Sequence, residues 1–273
     1  MNILVCFTTV PEVEMLAEED WVIDNNLQID TSFLKPTLNS YEESALEIAL
    51  TLSDASESVK VPLALSALTI AGSGATTILK TLNALRFKRV VRIDSQDDLR
   101  FRPMAIASIL TQYVLTHASQ DVLLLGRQTG IGENAKTHLL VAEMLGWPCI
   151  TQAIRIELAD RNHLMVTSQM DDGLLRQLIQ TPCVLSTGDA PNTYMRVPTL
   201  KDRMRCGKQP IETLSIRDFQ LSDETEELID LEVIQHKRAG ILIDGKSPEE
   251  KARKLYEAHL KRSVPGKERA AKI

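Results

Sequence analysis

Along the first 150 residues, short apolar runs alternate with stretches in which apolar side chains recur every three or four positions. Continuous apolar runs cover residues 3–8, 63–68, 89–93 and 122–126, and such runs are typical of strands buried on both faces of a parallel sheet. The helical pattern covers residues 77–85, 104–117 and 139–145. Strand and helix alternate at crossover spacing, which predicts a doubly wound, Rossmann-like α/β fold with a mainly parallel sheet.

A further helix is predicted to begin at Asn39. An asparagine with an acidic residue three positions later, here Glu42, has the form of a capping box at a helix start. The apolar face of this helix is formed by Ala45, Ile48, Ala49 and Leu52.

The pattern changes after residue 150. Apolar and polar residues alternate over 154–158 and 163–169, and Asp172-Gly173 is a strong turn signal before residues 174–180. This pattern predicts an antiparallel hairpin added to the sheet, closed by the apolar residues 183–185.

Beyond residue 187 the chain loses its regular periodicity. Residues 188–222 carry three prolines and several basic residues, and an acidic stretch follows. A final helix is predicted at Ser247-Pro248-Glu249-Glu250, where a capping serine precedes a proline in the first helical position. We therefore expect three parts: an α/β domain over 1–187, a segment over 188–222, and a C-terminal arm over 223–273.

Composition narrows the class of protein. The 31 basic and 37 acidic residues give a net charge of −6, and 44% of the residues are hydrophobic. This balance excludes a disordered chain and argues against nucleic acid as a partner, because nucleic-acid binding needs a basic surface. No apolar run reaches the ~18 residues of a membrane span. The four cysteines are scattered, which favours thiols in a reducing cytoplasm.

Catalytic motifs are absent. The sequence contains no G-x-S-x-G, H-E-x-x-H, G-x-x-x-x-G-K-[ST] or G-x-G-x-x-G, and its five histidines lack metal-ligand spacing. We therefore assign no catalytic and no metal-binding residue. The glycine loop 71–74 is typical of a simple turn between a strand and a helix.

The loop over residues 126–137, called the nucleotide loop below, carries more information. It leaves a predicted strand and ends at a helix start, and glycines at 126, 130 and 132 let the backbone approach a ligand closely. Backbone amides near Lys136 and Thr137 would present the positive end of the helix dipole to a phosphate. The chemistry favours a nucleotide or phosphate ligand, and an ordinary long loop is the alternative.

Several motifs, in order and at the right spacing, resemble the β subunit of electron-transfer flavoproteins, over nearly the whole chain. They comprise a helix start, the two ends of the nucleotide loop, a hairpin turn, a Thr-Pro-Cys-Val strand, a Thr-Leu segment that leads to a Lys-Gln-Pro-Ile-Glu run, and a late Lys-Arg-Ala-Gly element. In this sequence they occupy residues 39–47, 124–128, 145–148, 171–173, 181–184, 198–212 and 237–240.

The resemblance implies a fold like that of the adenine nucleotide α-hydrolases and an electron carrier without bond-making residues of its own. It implies AMP or a second adenine nucleotide in this chain, and FAD held mainly by a partner α subunit that the arm embraces. Residues 192–204 would recognise the flavin dehydrogenase that donates electrons, which pass on to a downstream acceptor. The residues that the loop chemistry and the resemblance assign to the nucleotide are Cys6, Asn39, Ser40, Tyr41, Glu42, Ala67 (taken to follow its strand), Gly126, Arg127, Gln128, Thr129, Gly130, Ile131, Gly132, Glu133, Asn134, Ala135, Lys136 and Thr137.

Two other interpretations compete with the electron carrier. A stand-alone nucleotide-binding regulator of the universal-stress type would not need the chain beyond residue 187. An adenylate-forming enzyme would want a Ser-Gly-Gly-x-Asp-Ser loop after the first strand, where this chain has Thr8-Thr9-Val10-Pro11.

Overall fold

The structure is a computed structural model of the chain. It describes all residues except 96, 118, 130, 133–134, 192–193, 207, 222–227, 235–239 and 262–273. The chain divides into two compact units, Met1–Leu231 and Glu232–Ile273.

The first unit is built around a large twisted sheet. The strands of the first unit are β1 (Asn2–Cys6), β2 (Val10–Pro11), β3 (Pro36–Thr37), β4 (Ala64–Ile70), β5 (Arg89–Asp94), β6 (Val122–Gly126), β7 (Cys149–Leu158), β8 (His163–Met170), β9 (Gly173–Gln180), β10 (Cys183–Thr187) and β11 (Glu212–Ser215). Its helices are α1 (Ser40–Ser56), α2 (Thr76–Ala84), α3 (Pro103–Thr116), α4 (Thr137–Leu145) and α5 (Leu200–Cys206).

Within the described residues, nine of these strands form one sheet in the order β11-β5-β4-β1-β6-β10-β7-β8-β9. The strands from β11 to β7 run parallel, while β8 and β9 pair antiparallel as a hairpin. The short strands β2 and β3 form a separate antiparallel pair. The predicted doubly wound fold with an added hairpin is therefore confirmed.

Two apolar cores cover the two faces of the sheet. Alternate residues of β1 point to opposite sides, so that Ile3 and Val5 pack with α1 and α2, whereas Leu4 and Cys6 pack with α3 and α4. The helices change sides between β1 and β6, which are neighbours in the sheet. In an open α/β sheet, such a switch point leaves a crevice outside the carboxyl ends of the strands, where ligands bind.

Local sequence signals set the helix ends. The side chain of Asn39 caps α1, Pro103 occupies the first turn of α3, and Gly146 ends α4 in a left-handed conformation with φ of 66°. Glycine adopts this conformation without the steric cost that a Cβ atom brings. The start of α1 and the end of α4 agree with the sequence patterns, while α3 begins at Pro103, one residue before the predicted start at residue 104.

Several predicted boundaries differ from the structure. The first strand ends at Cys6 rather than at Thr8, and Ala67 lies inside β4 instead of following it. Residues 188–222, for which no periodicity was expected, contain α5 and the edge strand β11. The apolar pattern could not reveal β11, because the strand is only four residues long and Leu214 is its single large apolar side chain.

The second unit contains helix α6 (Pro248–Leu255), which continues as a π-helical turn over Tyr256–Leu260. The hydroxyl of Ser247 accepts a hydrogen bond from the amide of Glu250, as the capping pattern predicts, while the Glu250 carboxylate accepts from the amide of Lys246, which precedes Ser247. Among residues 232–234 and 240–261, no side chain is buried. In the described parts of both units, no helix has the length and apolar character to cross a membrane.

Candidate functional site

The main cavity of the first unit lies at the switch point of the sheet. Its volume is about 670 Å³, and it opens beyond the carboxyl ends of β1, β4, β5 and β6. Cys6 and Gly126, the last residues of β1 and β6, lie at its base, and Thr137 opens α4 at its edge. The cavity therefore occupies the position that an open α/β sheet reserves for ligands.

Asn39 joins the start of α1 to the nucleotide loop. Its Oδ1 atom accepts hydrogen bonds from the amides of Tyr41 and Glu42 at 2.9 and 3.0 Å, while its Nδ2 atom donates to the carbonyl oxygen of Gln128 at 2.9 Å. One side chain thus satisfies two amides that every helix start leaves without an intrahelical partner. It also fixes the distance between this helix and the loop.

Glu42 and Gly126 meet at the base of the cavity. The amide of Gly126 donates to the Glu42 carboxylate at 3.3 Å, and a Cβ atom at position 126 would lie only 2.8 Å from that carboxylate. A side chain at position 126 would therefore displace the Glu42 carboxylate from the end of β6. Burial, together with the nearby charge of Glu42, raises the pKa of the Cys6 thiol, so this thiol stays protonated at neutral pH.

Thr187, at the end of β10, contacts both the start of α1 and the end of β6. Its hydroxyl group lies 2.8 Å from the carbonyl oxygen of Tyr41 and 3.3 Å from that of Leu125, and its own carbonyl accepts from the amide of Arg127 at 3.1 Å. The start of α1 and the exit of β6 are therefore held against the buried strand β10.

The opposite wall is formed by the segment that follows β5. The Arg100 guanidinium donates to the Asp98 carboxylate at 2.8 Å and to the carbonyl oxygen of Leu27 at 3.1 Å. The amide of Phe101 donates to the carbonyl oxygen of Gly132 at 3.1 Å. Hydrogen bonds from Arg100 lower the pKa of Asp98, so this ion pair persists to more acidic pH than an ordinary aspartate would allow.

The predicted site residues are only partly brought together. Those that line the cavity are Cys6, Glu42, Gly126, Gln128, Thr129, Ile131 and Thr137. Asn39, Ser40 and Tyr41 form the start of α1 beside it, Arg127, Gly132, Ala135 and Lys136 belong to the loop around it, and Ala67 is fully buried in β4. Gly130, Glu133 and Asn134 lie outside the described residues.

Several cavity residues were missed by the sequence reasoning. They are Phe7 to Pro11 after β1, Ala71 and Gly72 after β4, Ser95 and Asp97 to Phe101 after β5, and Trp21, Gln28 and Ile29 from the connection to α1. All but the last group directly follow a parallel strand. The rule that ligands bind beyond carboxyl strand ends could have found these residues once the strands were predicted.

We predict that Asn39→Ala lowers the free energy of unfolding by about 1–2 kcal/mol, the usual cost of losing a helix cap. The exposed neighbour Ser40 offers a matched control, since Ser40→Ala should change it by less than about 0.5 kcal/mol. Urea unfolding measures both values. Equal values for the two variants would contradict the capping role of Asn39.

Comparison with known proteins identifies the family. The sequence profile of the electron transfer flavoprotein domain matches residues 27–218, which is most of the chain. A protein named "Putative electron transfer flavoprotein subunit YgcR" from Escherichia coli K12 is 31% identical over 97% of this chain and 99% of its own length. The chain belongs to the electron transfer flavoprotein β-subunit family.

Two further relatives agree with this family. "Probable electron transfer flavoprotein subunit beta" from Saccharomyces cerevisiae is 29% identical over 84% of this chain and 87% of its own length. The mitochondrial β subunit from Arabidopsis thaliana is 26% identical over 85% and 90%. The family resemblance predicted from the sequence is therefore confirmed, and the chain has a role in electron transfer.

Proposed function

We propose that this chain is the β subunit of a heterodimeric electron-transfer flavoprotein and that its cavity holds AMP or another adenine nucleotide. FAD, held mainly by the α subunit, would supply the electron chemistry between a flavin dehydrogenase as donor and a downstream acceptor. The observation that carries the proposal is a cavity at the switch point, bordered by the nucleotide loop, in a chain of this family.

The cavity fits a nucleotide in size and chemistry. Its volume of about 670 Å³ lies within the ~300–1,000 Å³ of small-molecule sites. Apolar side chains such as Leu68, Ile70 and Leu110 offer a surface for a base, and the carboxylates of Asp97 and Asp98 can accept hydrogen bonds from ribose hydroxyls. The start of α4, which opens at Thr137 on the edge of the cavity, suits a phosphate because the positive end of the helix dipole favours an anion there.

In this proposal, the residues of this chain bind the nucleotide and position the elements around it. We assign them no bond-making step. Asn39, Glu42 and Thr187 hold the start of α1 and the nucleotide loop in a fixed arrangement. A bound nucleotide would stabilise that arrangement, because ligands that bind only the folded state add to its stability.

Two other parts of the chain receive partners in the proposal. Residues 192–204 recognise the flavin dehydrogenase, and the arm over 223–273 packs on the α subunit. Exposed apolar residues support both roles, among them Tyr194 and Leu200 in the first part and Ile241 and Leu242 in the second. We also propose that the complex works in the cytoplasm.

Co-expression with a candidate α subunit tests the function. A tag on this chain is used for purification, and the visible spectrum and the heat-released nucleotide are then recorded. We expect a yellow complex of two different subunits that releases both FAD and an adenine nucleotide. A colourless chain that retains nucleotide but no partner would favour the stand-alone regulator instead, and a yellow complex without adenine nucleotide beyond FAD would refute the proposed occupant of the cavity.

A further inference from the structure

The connection from β10 to β11 presents a group of exposed apolar side chains. Tyr194, Val197, Leu200 and Met204 are 80%, 78%, 75% and 71% exposed. We call residues 194–204 the docking segment. Large apolar side chains exposed together on one short segment commonly mark an interaction site. Because Lys201, Arg203 and Arg205 surround it on α5, the matching surface is apolar with acidic groups at its edge.

Arg196 fastens the docking segment to α1. Its Nη2 and Nε atoms donate to Oε1 of Glu47 at 2.6 and 2.9 Å, and its Nη1 atom donates to Oδ2 of Asp54 at 2.6 Å. The backbone amide of Arg196 also donates to Oε2 of Glu47 at 2.9 Å. Both the side chain and the main chain of this one residue are therefore fixed.

The buried partner makes this contact strong. The side chain of Glu47 is only 6% exposed, whereas that of Asp54 is 65% exposed. A planar guanidinium that binds a carboxylate through two nitrogen atoms is among the stronger hydrogen-bonded pairs in proteins. Removing one member of a buried pair leaves the other charge without compensation, which is costly.

The clamp determines which side chains face outward. Met195, beside Arg196, packs on the apolar core between α1 and the sheet. Met195 and Arg196 thus both face the domain. The residues on either side of them, Tyr194 and Val197, point away from it and are 80% and 78% exposed. The orientation of half of the apolar surface depends on the position of residues 195 and 196.

We propose that Arg196 is a positioning residue that holds the docking segment in the shape recognised by an electron-donating flavin dehydrogenase. This inference rests on the proposed function. Arg196 acts through Glu47 and Asp54, and its own guanidinium faces α1 rather than the dehydrogenase.

Amide hydrogen exchange on the purified chain tests the clamp. We expect Arg196→Gln to speed exchange of the amides of residues 195 and 196, which bond to Glu43 and Glu47, at least tenfold. Asp54→Asn, which weakens only the exposed contact, should have a smaller effect. Arg161→Gln removes the same charge from an exposed turn and should leave these amides unchanged. The double variant Arg196→Gln/Glu47→Gln leaves no buried unpaired charge, so it keeps the test decisive if the single variant does not fold. Slow exchange in the double variant would overturn the clamp.

Electron uptake tests the functional half. The assay uses the flavin dehydrogenase that reduces the wild-type heterodimer. Arg196→Gln should raise the KM of this dehydrogenase for the heterodimer at least tenfold, with kcat within twofold and the flavin content of the heterodimer unchanged. Arg161→Gln should leave KM unchanged. An unchanged KM in Arg196→Gln, despite faster exchange, would overturn the positioning role. If no flavin dehydrogenase reduces the wild type, the proposed donor is wrong, and the exchange experiment still decides whether Arg196 shapes this surface.

Discussion

Replacing Gly132 by alanine is expected to lower the free energy of unfolding by about 2–5 kcal/mol and to reduce bound adenine nucleotide at least tenfold. Gly132 has φ of +83°, and a Cβ atom there would lie 2.7 Å from Cβ and 3.0 Å from Cα of Arg100. The left-handed backbone costs an alanine about 1–2 kcal/mol, and overpacking against a main-chain atom adds about 1–3 kcal/mol. The nucleotide loop must move away from the wall that it touches, which opens the cavity.

Gly146 provides a matched control for the backbone term. It also has a left-handed φ, of +66°, but a Cβ atom there meets nothing within 4 Å. Gly146→Ala should therefore cost only about 1–2 kcal/mol and leave the nucleotide content unchanged. Urea unfolding and the amount of heat-released nucleotide measure both effects. If the two variants lose the same stability and retain the same nucleotide, the contact between Gly132 and Arg100 does not shape the site.

Ending the chain after Leu231 should weaken binding of the α subunit by at least about a hundredfold, or roughly 2.7 kcal/mol. The second unit exposes large apolar side chains, including Ile234, Ile241 and Leu242, and each can contribute about 1.5–3 kcal/mol when a partner buries it. The first unit contains the whole nine-stranded sheet and both apolar cores. Its free energy of unfolding should therefore change by less than about 1 kcal/mol, a small fraction of the usual total.

A shorter truncation serves as the control for this experiment. Ending the chain after Lys261 removes residues 262–273 and keeps α6 together with the exposed apolar residues before it. We expect this variant to bind the α subunit within about fivefold of the full chain, roughly 1 kcal/mol. Titration of each form against labelled α subunit measures the affinities. Full affinity after removal of residues 232–273 would show that the partner binds elsewhere on the chain.

The parallel part of the sheet could be predicted because its strands are buried on both faces. The apolar run at 122–126 corresponds residue for residue to β6, and the run at 183–185 forms the beginning of β10. In such strands nearly every side chain is apolar, so the local sequence alone indicates the strand. The strong turn signal Asp172-Gly173 likewise fixed the hairpin of β8 and β9.

The edge strand β11 depends on distant residues instead. It pairs in parallel with β5, and the Arg89 guanidinium binds the Glu212 carboxylate through two nitrogen atoms at 2.7 Å. The two residues are 123 positions apart in the chain. No local pattern carries this information, so periodicity alone could not find the strand.

The candidate site was predictable to a similar degree. Glycines and a helix start in one continuous loop pointed to the side of the cavity at β6 and α4. The wall formed by Asp98 and Arg100 carries no motif, and its position follows only from the order of strands in the sheet. The fold class thus determines about where a ligand enters, while the tertiary arrangement selects the side chains that surround it.

The strand β11 has a consequence for the connection that precedes it. That connection leaves the sheet at the interior strand β10 and returns at β11, which lies five places away at one edge of the sheet. Both ends of this connection are therefore strands of the same sheet. Residues beyond 231 follow β11 in the chain, so β11 and the Arg89–Glu212 pair lie between them and residues 194–204. In the proposed function, the part of the chain that binds the dehydrogenase and the part that binds the α subunit are therefore separated by a strand that belongs to the sheet.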